Sequence, residues 1–186
     1  FEAGTITGAG VNNPAFLLNI EIYQDGSGDN TIVSDGNGNA YYGNGGNDYM
    51  IAEIGGETMD GGAGIDTIDL ARWNGGYIVD MVSGSSNYGG ELYTNFENLI
   101  SGNGDDSITG TGGTNDIRTN GGNDTVVAGG GEDIVYGGDG NDLLQGGFVT
   151  DFVYGEAGDD TIQVLAGEFY DNADGGTGFD TLDHSA

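Results

Sequence analysis

Hydrophobic residues recur along this chain with a period of nine. In residues 25–69, 101–163 and 175–183, each nonapeptide carries an apolar residue at its eighth position. These residues are Ile32, Tyr41, Met50, Met59, Ile68, Ile108, Ile117, Val126, Val135, Leu144, Val153, Ile162 and Leu182. The six residues before each apolar-centred triplet are rich in glycine and form too short a segment for a helix. The spacing therefore predicts three-residue strands separated by six-residue turns.

Glycine makes these turns possible. The most regular copies, 61–69 and 137–145, read G-G-x-G-x-D-x-U-x, in which U is apolar. Glycine at the first, second and fourth positions permits the positive φ values of a tight turn. Side chains alternate along a strand, so the eighth position faces inward and its two neighbours face outward. Two nonapeptides then form a coil of about 18 residues, and coils stack about 4.8 Å apart. The predicted fold class is all-β, a parallel β-roll (β-solenoid) with two sheets.

The sixth position of the repeat carries the candidate chemistry. It is always Asp, Asn or Glu: Asn30, Asn39, Asp48, Glu57, Asp66, Asp106, Asn115, Asp124, Asp133, Asp142, Asp151, Asp160 and Asp180. In a roll this position returns to the same edge every 18 residues, which creates two acidic columns. Carboxylates about 5 Å apart repel by roughly 3 kcal/mol per pair at an effective dielectric constant near 20. Burying one aliphatic side chain contributes only about 1.5–3 kcal/mol, so the repulsion can cancel the core.

A divalent cation between neighbouring turns would reverse this repulsion. Asp carboxylates and turn carbonyls form an all-oxygen ligand set, which suits Ca²⁺ better than Mg²⁺ or a transition metal. The sequence therefore predicts several Ca²⁺ ions and a fold that depends on them.

Composition excludes several other classes of function. The chain of 186 residues has 31 acidic and two basic residues, a formal net charge of −29, 41 glycines and no cysteine. This charge excludes nucleic acid as a partner and argues against binding to an anionic membrane. No apolar run approaches the roughly 20 residues of a membrane-spanning helix, so we expect no membrane insertion. Nucleophile-elbow, phosphate-loop and zinc-protease motifs are also absent from the sequence, and we expect no enzymatic activity.

The repeat resembles the RTX (repeat-in-toxin) calcium-binding nonapeptide. The resemblance implies a parallel β-roll in which each ion lies between one turn and the next turn on the same edge. It also implies export of a calcium-free chain, by a one-step type I secretion machine, into calcium-rich extracellular surroundings. The metal ligands that it implies are Asp48, Asp66, Asp106, Asp124, Asp133, Asp142, Asp151, Asp160 and Asp180, with Gly46, Gly64, Gly104, Gly122, Gly131, Gly140 and Gly158.

The copies differ in how well they match this pattern. The strongest sites are expected between Asp124 and Asp142, Asp142 and Asp160, Asp106 and Asp124, Asp133 and Asp151, and Asp48 and Asp66. Turns with Asn30, Asn39 or Asn115 have less ligand charge, and Glu57 is a methylene longer than Asp. Val149 replaces the expected glycine beside Asp151. We expect these turns to bind weakly or not at all.

The repeats divide the chain into segments. Lead-in strands are predicted in 1–24, a first roll block in 25–69, and a β-hairpin excursion with a second lead-in in 70–100. The second roll block is 101–186, with an insertion at 164–174. The hairpin is predicted from apolar runs at 77–82 and 92–100, joined by a polar, glycine-containing segment at 83–90. The recurrence of a lead-in before each block suggests a piece of a longer tandem protein.

One predicted outer face is apolar. Ile134, Tyr136, Phe152 and Tyr154 occupy outward positions on one sheet, and exposed patches of this kind usually contact something. Either another part of the same chain covers them, or they contact a second copy or a neighbouring roll.

Two functions fit these observations, and a third is disfavoured by them. The first is a calcium-folded structural module of a secreted bacterial surface protein, in a filament, a surface layer or an adhesin stalk. The alternative is the C-terminal secretion and folding roll of an exported hydrolase or toxin. Ice binding is disfavoured, because the outward turn positions form no regular rank of Thr and Asx.

Overall fold

The computed structural model describes residues 22–165 and 172–184, together with two short strands nearer the start of the sequence. Most of the predicted lead-in 1–24, and residues 166–171 of the predicted insertion, lie outside these described residues. Every regular element within the described ranges is a β-strand. In the same ranges, no helix is long and apolar enough to cross a membrane.

The strands are short because each occupies only the apolar-centred triplet of a repeat. In chain order they are β1 (Ile6–Thr7), β2 (Ala15–Phe16), β3 (Ile22–Gln24), β4 (Thr31–Val33), β5 (Ala40–Tyr42), β6 (Tyr49–Ile51), β7 (Thr58–Asp60), β8 (Thr67–Asp69), β9 (Ile78–Asp80), β10 (Ser85–Ser86), β11 (Leu92–Thr94), β12 (Asn98–Ile100), β13 (Ser107–Thr109), β14 (Asp116–Arg118), β15 (Thr125–Gly130), β16 (Ile134–Asp139), β17 (Leu143–Phe148), β18 (Phe152–Ala157), β19 (Thr161–Gln163), β20 (Asn172–Asp174) and β21 (Thr181–Asp183).

These strands form two sheets. Among the described residues, sheet A has the order β1-β3-β5-β7-β11-β10-β9-β13-β15-β17-β19-β21, and sheet B has the order β2-β4-β6-β8-β12-β14-β16-β18-β20. Within each block the chain alternates between the sheets, so neighbouring strands come from residues 18 apart, as in Val126↔Leu144 and Leu144↔Ile162. The predicted parallel β-roll is confirmed.

The core lies between the two sheets and consists mainly of eighth-position side chains. Twelve of the thirteen are at most 4% exposed. The exception, Leu182, is 52% exposed and belongs to the last described coil, where no further coil stacks on it. The predicted inward direction of this position therefore holds wherever a neighbouring coil covers it.

The interruption between the blocks is spliced into sheet A. Strand β11 pairs in parallel with β7, β9 pairs in parallel with β13, and β10 runs antiparallel between β9 and β11. At the same level, sheet B contains a single strand, β12, which pairs with β8 on one side and β14 on the other. Sheet A thus has two extra strands, equivalent to about 10 Å of stacking distance. Buried Tyr77, Tyr93 and Phe96 fill the interior at this level.

The boundaries of the interruption differ from the predicted hairpin. Strand β9 ends at Asp80 and β11 ends at Thr94, whereas 98–100 forms a separate strand in sheet B. Asn95 adopts a positive φ of 56°, at the point where the chain leaves sheet A for sheet B. The predicted long second strand is therefore two short strands on opposite faces of the roll.

Candidate metal centre

The sixth-position carboxylates turn inward at both edges of the roll. Eight of them are at most 3% exposed: Asp48, Asp66, Asp106, Asp124, Asp133, Asp142, Asp151 and Asp160. The ninth predicted carboxylate, Asp180, is exposed in the last described coil. Since the residue after each carboxylate starts a strand, the strand register determines where the carboxylate lies. In each of the five predicted pairs, the two carboxylates consequently lie on adjacent levels of the same edge.

One oxygen of each carboxylate is held by the backbone of the preceding coil. On the sheet A edge, the N–H groups of Asp106, Asp124 and Asp142 donate to Oδ1 of the aspartate 18 residues later, at 2.7, 2.8 and 2.8 Å. On the sheet B edge, the Asp48 N–H donates to Asp66 Oδ1 at 2.7 Å, and the Asp133 N–H donates to Asp151 Oδ1 at 2.8 Å. These hydrogen bonds orient each side chain along the column.

The second oxygen is buried without a hydrogen-bond partner in most of these turns. This applies to Oδ2 of Asp48, Asp66, Asp106, Asp124, Asp133, Asp142 and Asp160. Leaving a buried charged acceptor unsatisfied costs more than leaving a neutral one unsatisfied. In this arrangement, each Oδ2 requires a proton or a cation.

The pKa values of these carboxyl groups are raised. Burial raises the pKa of Asp124 to about 7, and the pKa values of Asp66, Asp133 and Asp142 to about 6. Burial is also the largest cause of the raised pKa values of Asp48, Asp106 and Asp160. Near neutral pH, the ionised groups are poorly compensated by the protein alone.

Backbone carbonyl oxygens lie near the unpartnered carboxylate oxygens of Asp142 and Asp160. A methyl group placed on Gly137 would lie within 3.0 Å of both Asp142 Oδ2 and the carbonyl oxygen of Gly155. One placed on Gly155 would lie within 2.6 Å of both Asp160 Oδ2 and the carbonyl oxygen of Gly175. Carboxylate and carbonyl oxygens together are the ligands that Ca²⁺ prefers.

The fourth-position glycines also lie in columns. Gly104, Gly122, Gly140 and Gly158 line the sheet A edge, and Gly46, Gly64 and Gly131 line the sheet B edge. The carbonyl oxygen of Gly122 lies where a Cβ atom on Gly140 would be, and Gly140 has a φ of 142°. Glycine is thus required here both by backbone conformation and by close packing of the next turn.

Carboxylates alone do not form a complete cage. Within the described ranges, no three acidic or histidine side chains converge on one point. Ca²⁺ takes about six to eight oxygen ligands, so the backbone carbonyls must supply a large share. The buried Oδ2 atoms and the carbonyls beside them fit that requirement.

The turn at Asn115 is satisfied without an ion. Its Nδ2 donates to the carbonyl oxygen of Glu97 at 2.7 Å, and its Oδ1 accepts the Thr111 N–H at 2.7 Å. An amide can donate to a carbonyl oxygen, whereas a carboxylate in the same place would repel it. This difference supports the low rank given to the Asn115 turn.

A second ladder, at the fifth position, was missed in the sequence. Oδ1 of Asp105 accepts the Asn123 N–H at 2.8 Å, and Oδ1 of Asn123 accepts the Asn141 N–H at 2.9 Å. Oδ1 of Asn141 in turn accepts the Asp159 N–H at 2.8 Å. The available signal was Asp or Asn recurring every 18 residues at a position that the repeat leaves undefined.

Two glutamates outside the nonapeptide blocks were also missed. Glu97 Oε2 accepts the Asp66 N–H at 2.8 Å, which is the role of a sixth-position carboxylate. Glu91 is 5% exposed and precedes β11 in the same way. The signal for both was an acidic residue directly before an apolar-centred triplet.

Comparison with known proteins agrees with this geometry. A family model that comprises four copies of the RTX calcium-binding nonapeptide repeat matches five overlapping or separate stretches of the chain, residues 34–68, 95–126, 109–144, 118–153 and 136–168, which together cover more than half of it. No curated protein matches the sequence. The chain belongs to the RTX calcium-binding nonapeptide repeat family, and its β-roll is a calcium-binding structural module.

Proposed function

We propose that this chain is a calcium-folded building block of a secreted bacterial surface protein, such as a filament, a surface layer or an adhesin stalk. The observation that carries the proposal is the series of buried, unpartnered Oδ2 atoms along both edges. Calcium bound there converts two repelling columns into two rows of cross-links. A roll held in this way is a rigid spacer, which suits an extracellular structural role.

The proposed ions lie between consecutive turns on one edge. The carboxylate pairs are Asp106 and Asp124, Asp124 and Asp142, Asp142 and Asp160, Asp133 and Asp151, and Asp48 and Asp66. Asp180 adds a ligand beyond Asp160, whose N–H donates to Asp180 Oδ1 at 3.1 Å. Carbonyl oxygens are proposed from Gly46, Gly64, Gly104, Gly122, Gly131, Gly140 and Gly158.

The negative charge of the chain and its buried carboxylates also support the proposal that the protein is secreted. Extracellular calcium modules work with dissociation constants of about 10⁻⁴–10⁻³ M, far weaker than cytosolic buffers. With a net charge of −29 and raised carboxyl pKa values at its edges, the calcium-free chain stays unfolded at neutral pH inside the cell. It folds when it meets extracellular calcium.

A calcium titration followed by circular dichroism tests the folding claim. We expect a cooperative transition from coil to β-structure that a chelator reverses. A β spectrum that persists unchanged in chelator would contradict the proposal.

Electron microscopy with and without calcium then separates a polymer from a monomer. A catalytic domain in the full-length chain would instead assign the roll to the secretion of an exported hydrolase or toxin.

The apolar face of sheet B is the proposed contact between copies. The Tyr136 and Tyr154 rings stack with centroids 5.0 Å apart, and Phe152 beside them is 39% exposed. The Arg118 guanidinium lies 4.4 Å from the Tyr136 ring centroid and closes one end of the face. We expect Phe152→Ser to weaken self-association in calcium, measured by sedimentation velocity. Phe179→Ser is the matched control, because Phe179 is exposed in a turn outside this face.

A further inference from the structure

Two buried glutamates lie on adjacent levels of the sheet A edge where the interruption joins the first block. Glu57 is 0% exposed and Glu91 is 5% exposed. They precede the paired strands β7 and β11, in which Thr58 is opposite Leu92. The Leu92 N–H donates to the carbonyl oxygen of Glu57 at 2.8 Å. The two glutamates therefore have the stacked relation of two sixth-position aspartates.

Each glutamate has one anchored oxygen and one unpartnered oxygen. Glu57 Oε1 accepts the Gly36 N–H at 2.6 Å. Glu91 Oε2 accepts the Tyr93 hydroxyl at 2.7 Å and the Ser86 hydroxyl at 2.9 Å. Glu57 Oε2 and Glu91 Oε1 are buried and have no hydrogen-bond partner. This division between the two oxygens is the one found in the aspartate columns.

No basic side chain neutralises this pair. The only two arginines of the chain are bound elsewhere, Arg72 to Glu53 and Arg118 to Asp116, and the chain contains no lysine. Burial raises the pKa of Glu57 to about 7, and the charges of Glu91 and Asp35 add to the rise. When both groups are ionised, the pair places two negative charges inside the stack with no basic side chain to compensate them.

Backbone oxygens are available in the same turns. The carbonyl oxygen of Gly89 lies 3.2 Å from where a Cβ atom on Gly56 would be, so the turns before Glu57 and Glu91 are in contact. Gly56 has a φ of 77°, a conformation that glycine adopts readily because it has no Cβ atom. Carboxylates with turn carbonyls make a hard, all-oxygen ligand set.

We propose that Glu57 and Glu91 hold a further Ca²⁺ that fastens the spliced strands to the first block. The proposal rests on the proposed function insofar as the ion is calcium. It goes beyond the repeat, because Glu91 lies outside every nonapeptide and the repeat pattern ranks the Glu57 turn as weak. An ion here makes the junction between the two blocks as calcium-dependent as the blocks themselves.

Two isosteric substitutions test the site. Glu57→Gln and Glu91→Gln each remove a charge and keep an oxygen acceptor for the anchoring hydrogen bonds. We expect each variant to bind one Ca²⁺ fewer than the unsubstituted chain, measured by equilibrium dialysis with metal analysis. Glu132→Gln is the matched control, because Glu132 is an exposed turn residue with the same charge. An unchanged ion count in both variants overturns the proposal.

The unsubstituted protein provides a test that does not depend on the variants folding. Crystals grown in calcium and measured for anomalous scattering should contain an ion between Glu57 and Glu91. Ions along the aspartate columns with none at the glutamate pair would overturn this inference and leave the proposed function intact. Absence of ions at all of these positions would overturn both.

Discussion

Replacing Asp142 by asparagine should have opposite effects with and without calcium. Asp142 is 2% exposed, and burial raises its pKa from 3.8 to about 6. This difference in pKa corresponds to roughly 3 kcal/mol. Protonated Asp142 contributes this free energy to the stability of the calcium-free fold in full below pH about 4. The contribution is lost as the pH rises through about 6, because the ionised group is poorly tolerated in the buried turn. At neutral pH, Asp142→Asn should therefore stabilise the calcium-free fold by up to about 3 kcal/mol.

The structure indicates how an amide fits this turn. Asp142 Oδ1 accepts the Asp124 N–H at 2.8 Å, and an asparagine side chain keeps this acceptor. Its Nδ2 would replace Oδ2 near the carbonyl oxygen of Gly155, to which an amide N–H can donate. In calcium the result reverses, because two proposed ions share Asp142. We expect the calcium concentration at the folding midpoint to rise at least about tenfold, equivalent to about 1.4 kcal/mol.

Two titrations monitored by circular dichroism measure these effects. In chelator at neutral pH, Asp142→Asn should need less of a stabilising osmolyte to fold than the unsubstituted chain. In the calcium titration it should need more calcium. Asp139→Asn is the control, since it removes an exposed charge from the same turn and should change both midpoints little. Shifts in the same direction in both titrations would refute the reasoning.

Two further substitutions test the ranking of the turns. Val149 has a φ of 94° at a glycine position, so Val149→Gly should raise the free energy of unfolding in saturating calcium by about 1 kcal/mol, measured with urea. Val149→Ala retains the Cβ atom and should gain much less; an equal gain would contradict this explanation. Asn39→Ala should hardly move the calcium midpoint, because its Nδ2 contacts Asp35 at 2.9 Å and not a carboxylate column. A shift as large as that of an Asp142 variant would refute the ranking.

The regular part of the site was predictable because the repeat determines it. Once each sixth-position residue precedes an inward-facing strand, stacking at 18 residues places Asp124 beside Asp142. The anchoring of one carboxylate oxygen by a backbone N–H and the burial of the other were not predictable from spacing. Both depend on the φ and ψ angles of the turn and on contact with the coil above.

The interruption resisted prediction for a different reason. Its apolar runs indicate strands, but parallel pairing joins segments that are distant in sequence, and several partners satisfy the same alternation. Only the stacked structure shows that β11 joins β7 and β9 joins β13. The pairing of Glu57 with Glu91 follows from that choice, and no local pattern contains it.

By itself, the sequence determined the period, the inward face, the acidic columns and the preference for a hard cation. These follow from local chemistry repeated at constant spacing, since each nonapeptide carries its own strand, turn and ligand. Tertiary structure decided which oxygens remain without partners, how the interruption enters sheet A and which glutamates meet there. Those features arise between coils, where long-range strand pairing sets the distances between atoms.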